Sequence, residues 1–167
     1  MTGENRNMTI ARNKGVKPIS ENRKAFHDYF ILDRMEAGIE LAGTEVKSIR
    51  QGHVNLNDSY AMVENGELWL HGAHISPYEQ GNRFNKDPLR TRRLLMHRHE
   101  IERLFARVRL DGLTIVPIRM YFLNSKVKVE IALAKGKKNY DKRDAQAQRE
   151  SDRDIDRRIK TGARDRD

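Results

Sequence analysis

The chain has 167 residues, 37% hydrophobic and 34% charged, with 33 Lys and Arg against 24 Asp and Glu for a net charge of +9; that suits one domain with a modest core and polar extensions. A pI near 9.9 and a mean hydropathy of -0.84 point to a polyanionic partner and to segments that do not pack. The absence of cysteine excludes disulfides, thiolate metal sites and a Cys nucleophile, while the lack of a long apolar run or a signal-type start argues against a membrane and for the cytoplasm.

Along the chain, residues 1 to 24 carry six basic and two acidic side chains and few large apolar ones, so 1–21 reads as a flexible basic arm. Residues 26–43 are rich in β-formers and interrupted by Gly38 and Gly43, which predicts a bent strand or two strands joined at a kink. Val46 and Ile49, three apart, predict two helical turns over 44–51 ending at Gly52. In 58–75 two β-rich runs flank Asn65-Gly66, the pair that a type I′ hairpin turn prefers because both positions need positive φ. Leu94, Leu95 and Met96 read as a buried strand. Ile101, Leu104, Phe105 and Val108 then fall at i, i+3, i+4 and i+7 of an amphipathic helix over 97–110 that stops near Gly112.

A second hairpin joins 114–123 to 126–134 through Asn124-Ser125, and Pro117 predicts an edge or a bulge. In its second arm Val127, Val129, Ile131 and Leu133 alternate with Lys126, Lys128, Glu130 and Ala132, which predicts one face on the core and one in water. From Lys135 onward the only aliphatic residues larger than alanine are Ile155 and Ile159, too little burial to offset the entropy of ordering. The tail 135–167 therefore reads as disordered when free. Six or seven short strands and two or three small helices within 22–134, without a βαβ alternation, make the chain mainly β: an antiparallel barrel or sandwich.

Catalytic motifs find no support. His71 and His74 fall on opposite faces of a predicted strand, and His97 and His99 on opposite sides of a helix start, so neither pair shares a metal. Gly136-Lys137 lacks the glycine five positions earlier that a phosphate loop needs, since Ile131 stands there. No metal and no cofactor is expected. RNA binding is better served. DPLRTRRLL at 87–95 fans out Arg90, Arg92 and Arg93 before an apolar anchor, and AKGKKNYDKR at 134–143 sets five cations around a glycine and Tyr140, a mixture suited to phosphates and unpaired bases.

These segments belong to a longer series. ENRKAFHDYFI, MEAGIELAGTEVKSIRQG, NLNDSY, GAHISPY, DPLRTRRLL and IALAKGKKNYDKR, in that order from Asn22 to Arg143, resemble the SsrA-binding protein (small protein B) family. The resemblance implies an oligonucleotide-binding-type antiparallel β-barrel. It also implies a non-enzymatic partner of transfer-messenger RNA, which holds that RNA's tRNA-like domain and accompanies it to stalled ribosomes.

By position, Asn22, Glu36, Leu95 and Lys128 match residues implicated in holding the tRNA-like domain, with His27, Arg90, Arg92 and Arg93 added partly on charge. The tail would read the empty decoding centre and mRNA channel. Lys135, Lys137, Lys138, Lys142 and Arg143 would lie on ribosomal RNA, in the same stretch as Gly136 and Asp141, with Tyr140 stacked on a base. Residues 145–160 would become helical there with Ile155 and Ile159 on one face. A monomer is expected in the free state. The alternatives are a ribosomal or ribosome-assembly RNA-binding barrel and, from another class, an RNA-processing enzyme.

Overall fold

A computed structural model describes residues 15–164. Among the described residues nine strands and four α-helices, with a 3₁₀ turn at Asn82–Phe84 before β7, follow in chain order: β1 (Val16–Glu21), α1 (Arg23–Asp28), β2 (Tyr29–Ile39), α2 (Gly43–Arg50), β3 (Val54–Asn55), β4 (Tyr60–Glu64), β5 (Glu67–His71), β6 (His74–Ile75), β7 (Arg92–Leu95), α3 (Arg98–Asp111), β8 (Thr114–Leu123), β9 (Lys126–Gly136) and α4 (Asn139–Arg164). The strands up to Gly136 and the segment from Lys137 onward form two separate units.

In the first unit seven strands run in the order β1-β8-β4-β5-β7-β2-β9, and β9 pairs with β8 to close a ring. Every pairing is antiparallel, so the sheet is a closed barrel with β1 added outside β8. Closure removes the exposed edges that an open sheet would present. The interior is filled by alternate residues, among them Ala37, Leu68, Leu70, Leu94, Ile115, Met120, Val129, Ile131 and Leu133, with Ile49 of α2 and Ile101 and Leu104 of α3 joining the same core.

Both hairpins form as their turns predict. Asn65 and Gly66 sit at φ 52 and 76, and Asn124 and Ser125 at φ 48 and 70. Pro117 lies at a register shift between β8 and β9, so it marks a bulge in a strand paired on both sides. Gly52 and Gly112 end α2 and α3 in left-handed conformations.

Several expectations need correction. Residues 26–28 are helical, because Asn22 caps α1 by accepting from the Ala25 N–H at 3.1 Å. The irregularity in β2 falls between Ile31 and Asp33 rather than at a glycine. The end of the basic arm is ordered, since Val16–Glu21 pairs with β8, while residues 1–14 lie outside the described residues. The solvent side of β9 is not open along its length. Ala132 and Ala134 are buried beneath Ala25 and Phe26 of α1 with Val116 and Ile118, a second small apolar layer outside the barrel, and Glu130 is only 2% exposed.

His71 and His74 lie on different strands, and the His97 and His99 rings stack at 5.6 Å because His97 is the extended residue before α3 rather than part of it. The second unit is the 26-residue helix α4, starting earlier and ending later than 145–160, where the free chain was expected to be disordered. Local bonds organise it: Asp141 accepts from the Lys138 N–H, and Gln146–Glu150 and Gln148–Asp152 pair at i,i+4.

Candidate RNA interface

The outer face of β7, β2, β9, β8 and β1 carries two cross-strand rows. In one, register places Leu95 opposite Gly38, Gly38 opposite Lys128, Lys128 opposite Tyr121 and Tyr121 opposite Pro18. In the next, two residues along on β2, β9 and β8 and three on β1 across its bulge, Glu36 lies opposite Glu130, Glu130 opposite Arg119 and Arg119 opposite Glu21. The period of two along each strand puts all these side chains on the same side of the sheet.

Gly38 shapes the first row. A Cβ there would stand 3.2 Å from the Leu95 Cβ, so the glycine lets β7 and β2 approach and leaves a notch between Leu95 and Lys128. The two flanking strands lie about 10 Å apart. Leu95 is 44% exposed, turned outward on β7 as its neighbour Leu94 turns into the core. Glu36 is exposed and accepts a hydrogen bond from the Tyr121 hydroxyl. Burial, reinforced by Glu36 and Glu130, raises the Tyr121 pKa far above its ordinary value, so the phenol stays protonated and acts as a fixed donor. One Glu36 oxygen is thereby oriented and the other remains available to an outside donor.

Within the second row Glu130 is buried, with Arg34 at 3.8 Å and Arg119 at 3.0 Å. Burial raises its pKa against the pull of the two guanidiniums, and the Glu36 carboxylate facing it adds to the rise. The strip thus offers a carboxylate, an apolar wall and a lysine ammonium around an open notch, with two arginines behind. That set can accept from a 2′-hydroxyl or base amine, pack on a sugar and neutralise a phosphate.

Of the residues that the resemblance names, Glu36, Leu95 and Lys128 lie on this one face. Asn22 is not among them. It is 2% exposed and saturated: its amide donates to the Leu56 carbonyl at 3.1 Å and the Pro117 carbonyl at 2.9 Å, and its oxygen caps α1. Its side chain pins α1 and the strand β8 beneath it, and presents no edge to a ligand. His27 is half-exposed on α1, 2.9 Å from Asp28.

The arginine fan is also corrected. Arg92 is fully buried: Nε donates to Glu45 Oε2 at 2.5 Å, Nη1 to the Ala73 carbonyl at 2.7 Å and Nη2 to the Pro88 carbonyl at 3.1 Å. Arg90 bonds the other Glu45 oxygen at 2.5 Å, and Arg93 pairs with Glu40 and Glu67. Burial alone would push the Glu45 carboxyl up; the bonds from Arg90, the Ala42 N–H and Arg92 outweigh it and hold the acid below its ordinary range. Arg92 and Arg90 thus clamp α2 to the segment before β7 instead of facing outward.

In the tail stretch, Lys135 and Gly136 end β9 opposite Phe30 and Tyr29. Lys137 and Lys138 precede α4; Tyr140, Asp141, Lys142 and Arg143 occupy its first turns, with Tyr140 59% exposed and the Lys138 ammonium 6.0 Å from its ring centroid. Ile155 and Ile159 are 52% and 65% exposed. Sequence reasoning missed Tyr121 and Glu130. Gly38 was noticed as an interruption, and a glycine inside a strand pattern does signal a close backbone approach, but only the register shows what approaches.

A closed antiparallel barrel bearing such a strip defines a β-barrel protein of the oligonucleotide-binding type. The profile of the SmpB protein family matches residues 19–161. The SsrA-binding protein of Carboxydothermus hydrogenoformans is 60% identical over 144 residues, 86% of this chain and 97% of that protein. That of Clostridium botulinum is 55% identical over 155 residues, 93% and 99% of the two chains. A chain in a solved structure of tmRNA-SmpB and the bacterial ribosome is similar with a TM-score of 0.62 at 51% identity, over 73% of this chain and 86% of that one. This chain belongs to the SmpB family of SsrA-binding proteins.

Proposed function

We propose that this chain serves trans-translation: it binds the tRNA-like domain of transfer-messenger RNA through the Gly38 strip and delivers it to stalled ribosomes. The observation that carries the assignment of the site is the row Leu95–Gly38–Lys128 beside Glu36. Leu95 offers an apolar wall on which a sugar or base edge packs, Lys128 meets a phosphate, and Glu36, oriented by Tyr121, accepts from a 2′-hydroxyl or an amine. Family membership and the likeness to the ribosome-associated structure support the partners.

The segment 135–167 acts separately on this reading. Its cations and Tyr140 contact decoding-centre RNA, and α4 enters the mRNA channel. Ile155 and Ile159 are each more than half exposed on the described helix, and a helix without a packed apolar face is marginal in water, so on this reading its order comes from the ribosome. The protein is an adaptor in the cytoplasm and catalyses no step itself.

Binding titrations with the tRNA-like fragment test the site. Glu36→Ala, Leu95→Ala and Lys128→Ala each weaken binding, and Lys128→Ala also lowers the slope of log K against log salt by roughly 0.7 to 0.9. Unchanged affinity in all three variants, with the fold intact, would refute the assignment.

A further inference from the structure

A second surface lies on the segment between β6 and β7. It is a shallow cleft of about 490 Å³ whose lining includes Thr44, Lys47, Tyr78, Arg83, Phe84 and Lys86, with no carboxylate among its lining residues. Phe84 is 65% exposed, with the Arg83 guanidinium 5.0 Å from its ring centroid, and the Lys47 ammonium lies 5.4 Å from that of Tyr78. Arg83, Lys86 and Lys47 make no ion pair with the described residues, unlike Arg90, Arg92 and Arg93 nearby.

This loop is held rigid while its ring stays in water. The Asn85 side chain bridges it, donating to the Tyr78 carbonyl at 2.8 Å and accepting from the Tyr78 N–H at 3.0 Å. The Thr44 hydroxyl bonds the Phe84 carbonyl at 3.3 Å, and Ser48 bonds the Ser76 carbonyl at 2.6 Å. Gly81 is packed so closely that a Cβ would meet Asn85 Oδ1 at 2.7 Å. Two rings with cations over them, fixed in advance and free of acidic neighbours in the cleft, match the stacking platform and charge that an unpaired nucleotide needs.

We propose that this cleft is a second RNA site, taking one unpaired nucleotide of the same tRNA-like molecule that the Gly38 strip holds, its base on Phe84 and its phosphate among Lys47, Arg83 and Lys86. The proposal rests on the reading of that strip. The chain itself ties the two together. Ala42, in the cleft wall, is four residues from Gly38, so their Cα atoms are at most about 14 Å apart, well under the roughly 34 Å of one duplex turn. Leu95 follows the far end of the same loop.

The full chain is titrated with the tRNA-like fragment as native protein and as Phe84→Leu, Phe84→Trp and Lys128→Ala, each checked by thermal melting. Stacking predicts that Phe84→Leu weakens binding by about 5- to 150-fold with an unchanged salt slope, while Phe84→Trp keeps native affinity. A photo-reactive phenylalanine at position 84 should crosslink to a loop nucleotide of the fragment. Native affinity in Phe84→Leu, or no crosslink to the fragment from position 84, would overturn the proposal while Lys128→Ala still reports on the strip; native affinity in Lys128→Ala would instead remove the reading beneath it.

Discussion

Arg92 sits in a run of arginines that composition marks as an RNA contact, yet its guanidinium is spent entirely on Glu45 and two carbonyls inside the fold. Nothing in DPLRTRRLL says which arginine will turn inward, because the deciding partner is 47 residues away on α2. Removing one member of a buried pair leaves the other uncompensated, so Glu45→Ala should cost about 3 to 5 kcal/mol of stability at neutral pH. Its pH dependence has a definite sign. The folded pKa of Glu45 lies below the ordinary value of 4.5, so the pair's stabilisation is present above that pH and lost as the pH falls through the folded value.

Glu130 works oppositely. Its raised folded pKa gives a contribution that is full below the ordinary carboxylate range and lost as the pH rises. Chemical unfolding between pH 7 and 3 should therefore show the Glu45→Ala variant starting lower and declining less steeply than the native protein. Parallel curves would contradict the role given to the clamp.

Among the elements, the long hairpins were legible because turn chemistry and alternation agree: Asn65-Gly66 and Asn124-Ser125 sit between runs of the right period. Short elements gave no such signal. α1 has six residues and buries only Ala25, so no helical period can emerge, and β3 and β6 are two residues each. β1 reads as a polar arm and becomes a strand only because β8 offers it a partner. The residues of the candidate strip came from the family resemblance rather than from spacing. Glu36, Leu95 and Lys128 carry the right chemistry, but their meeting around Gly38, and the donation from Tyr121 to Glu36, depend on a register that sequence spacing does not give.

On the proposed reading the tail is an element whose state depends on its surroundings. Circular dichroism of the full chain minus that of a chain ending at Lys137 should give a mostly coil spectrum for the tail, with a shallow, non-cooperative change on heating. A strong helical difference that persists on heating would show that the free helix is stable by itself.

Over the whole molecule, the net charge of +9 is distributed less simply than the sequence implies. Of the basic stretch 83–109, Arg90, Arg92, Arg93, Arg98 and Arg107 pair with Glu45, Glu40, Glu67, Glu102 and Asp111, which leaves Arg103, Arg109, the cleft cations, Lys128 and the polar extensions among those that can meet RNA. On the proposed reading the barrel recognises a shaped RNA through a few placed groups, while the segment from Lys137 supplies charge and a helix for another site. Ending the chain at Lys137 preserves every strand, since β9 finishes at Gly136. The most direct measurement compares this shortened chain with the full one in two assays: affinity for the tRNA-like domain, and release of ribosomes stalled on a message without a stop codon. The account predicts nearly native RNA affinity and abolished release; loss of both together, or release without the tail, would contradict it.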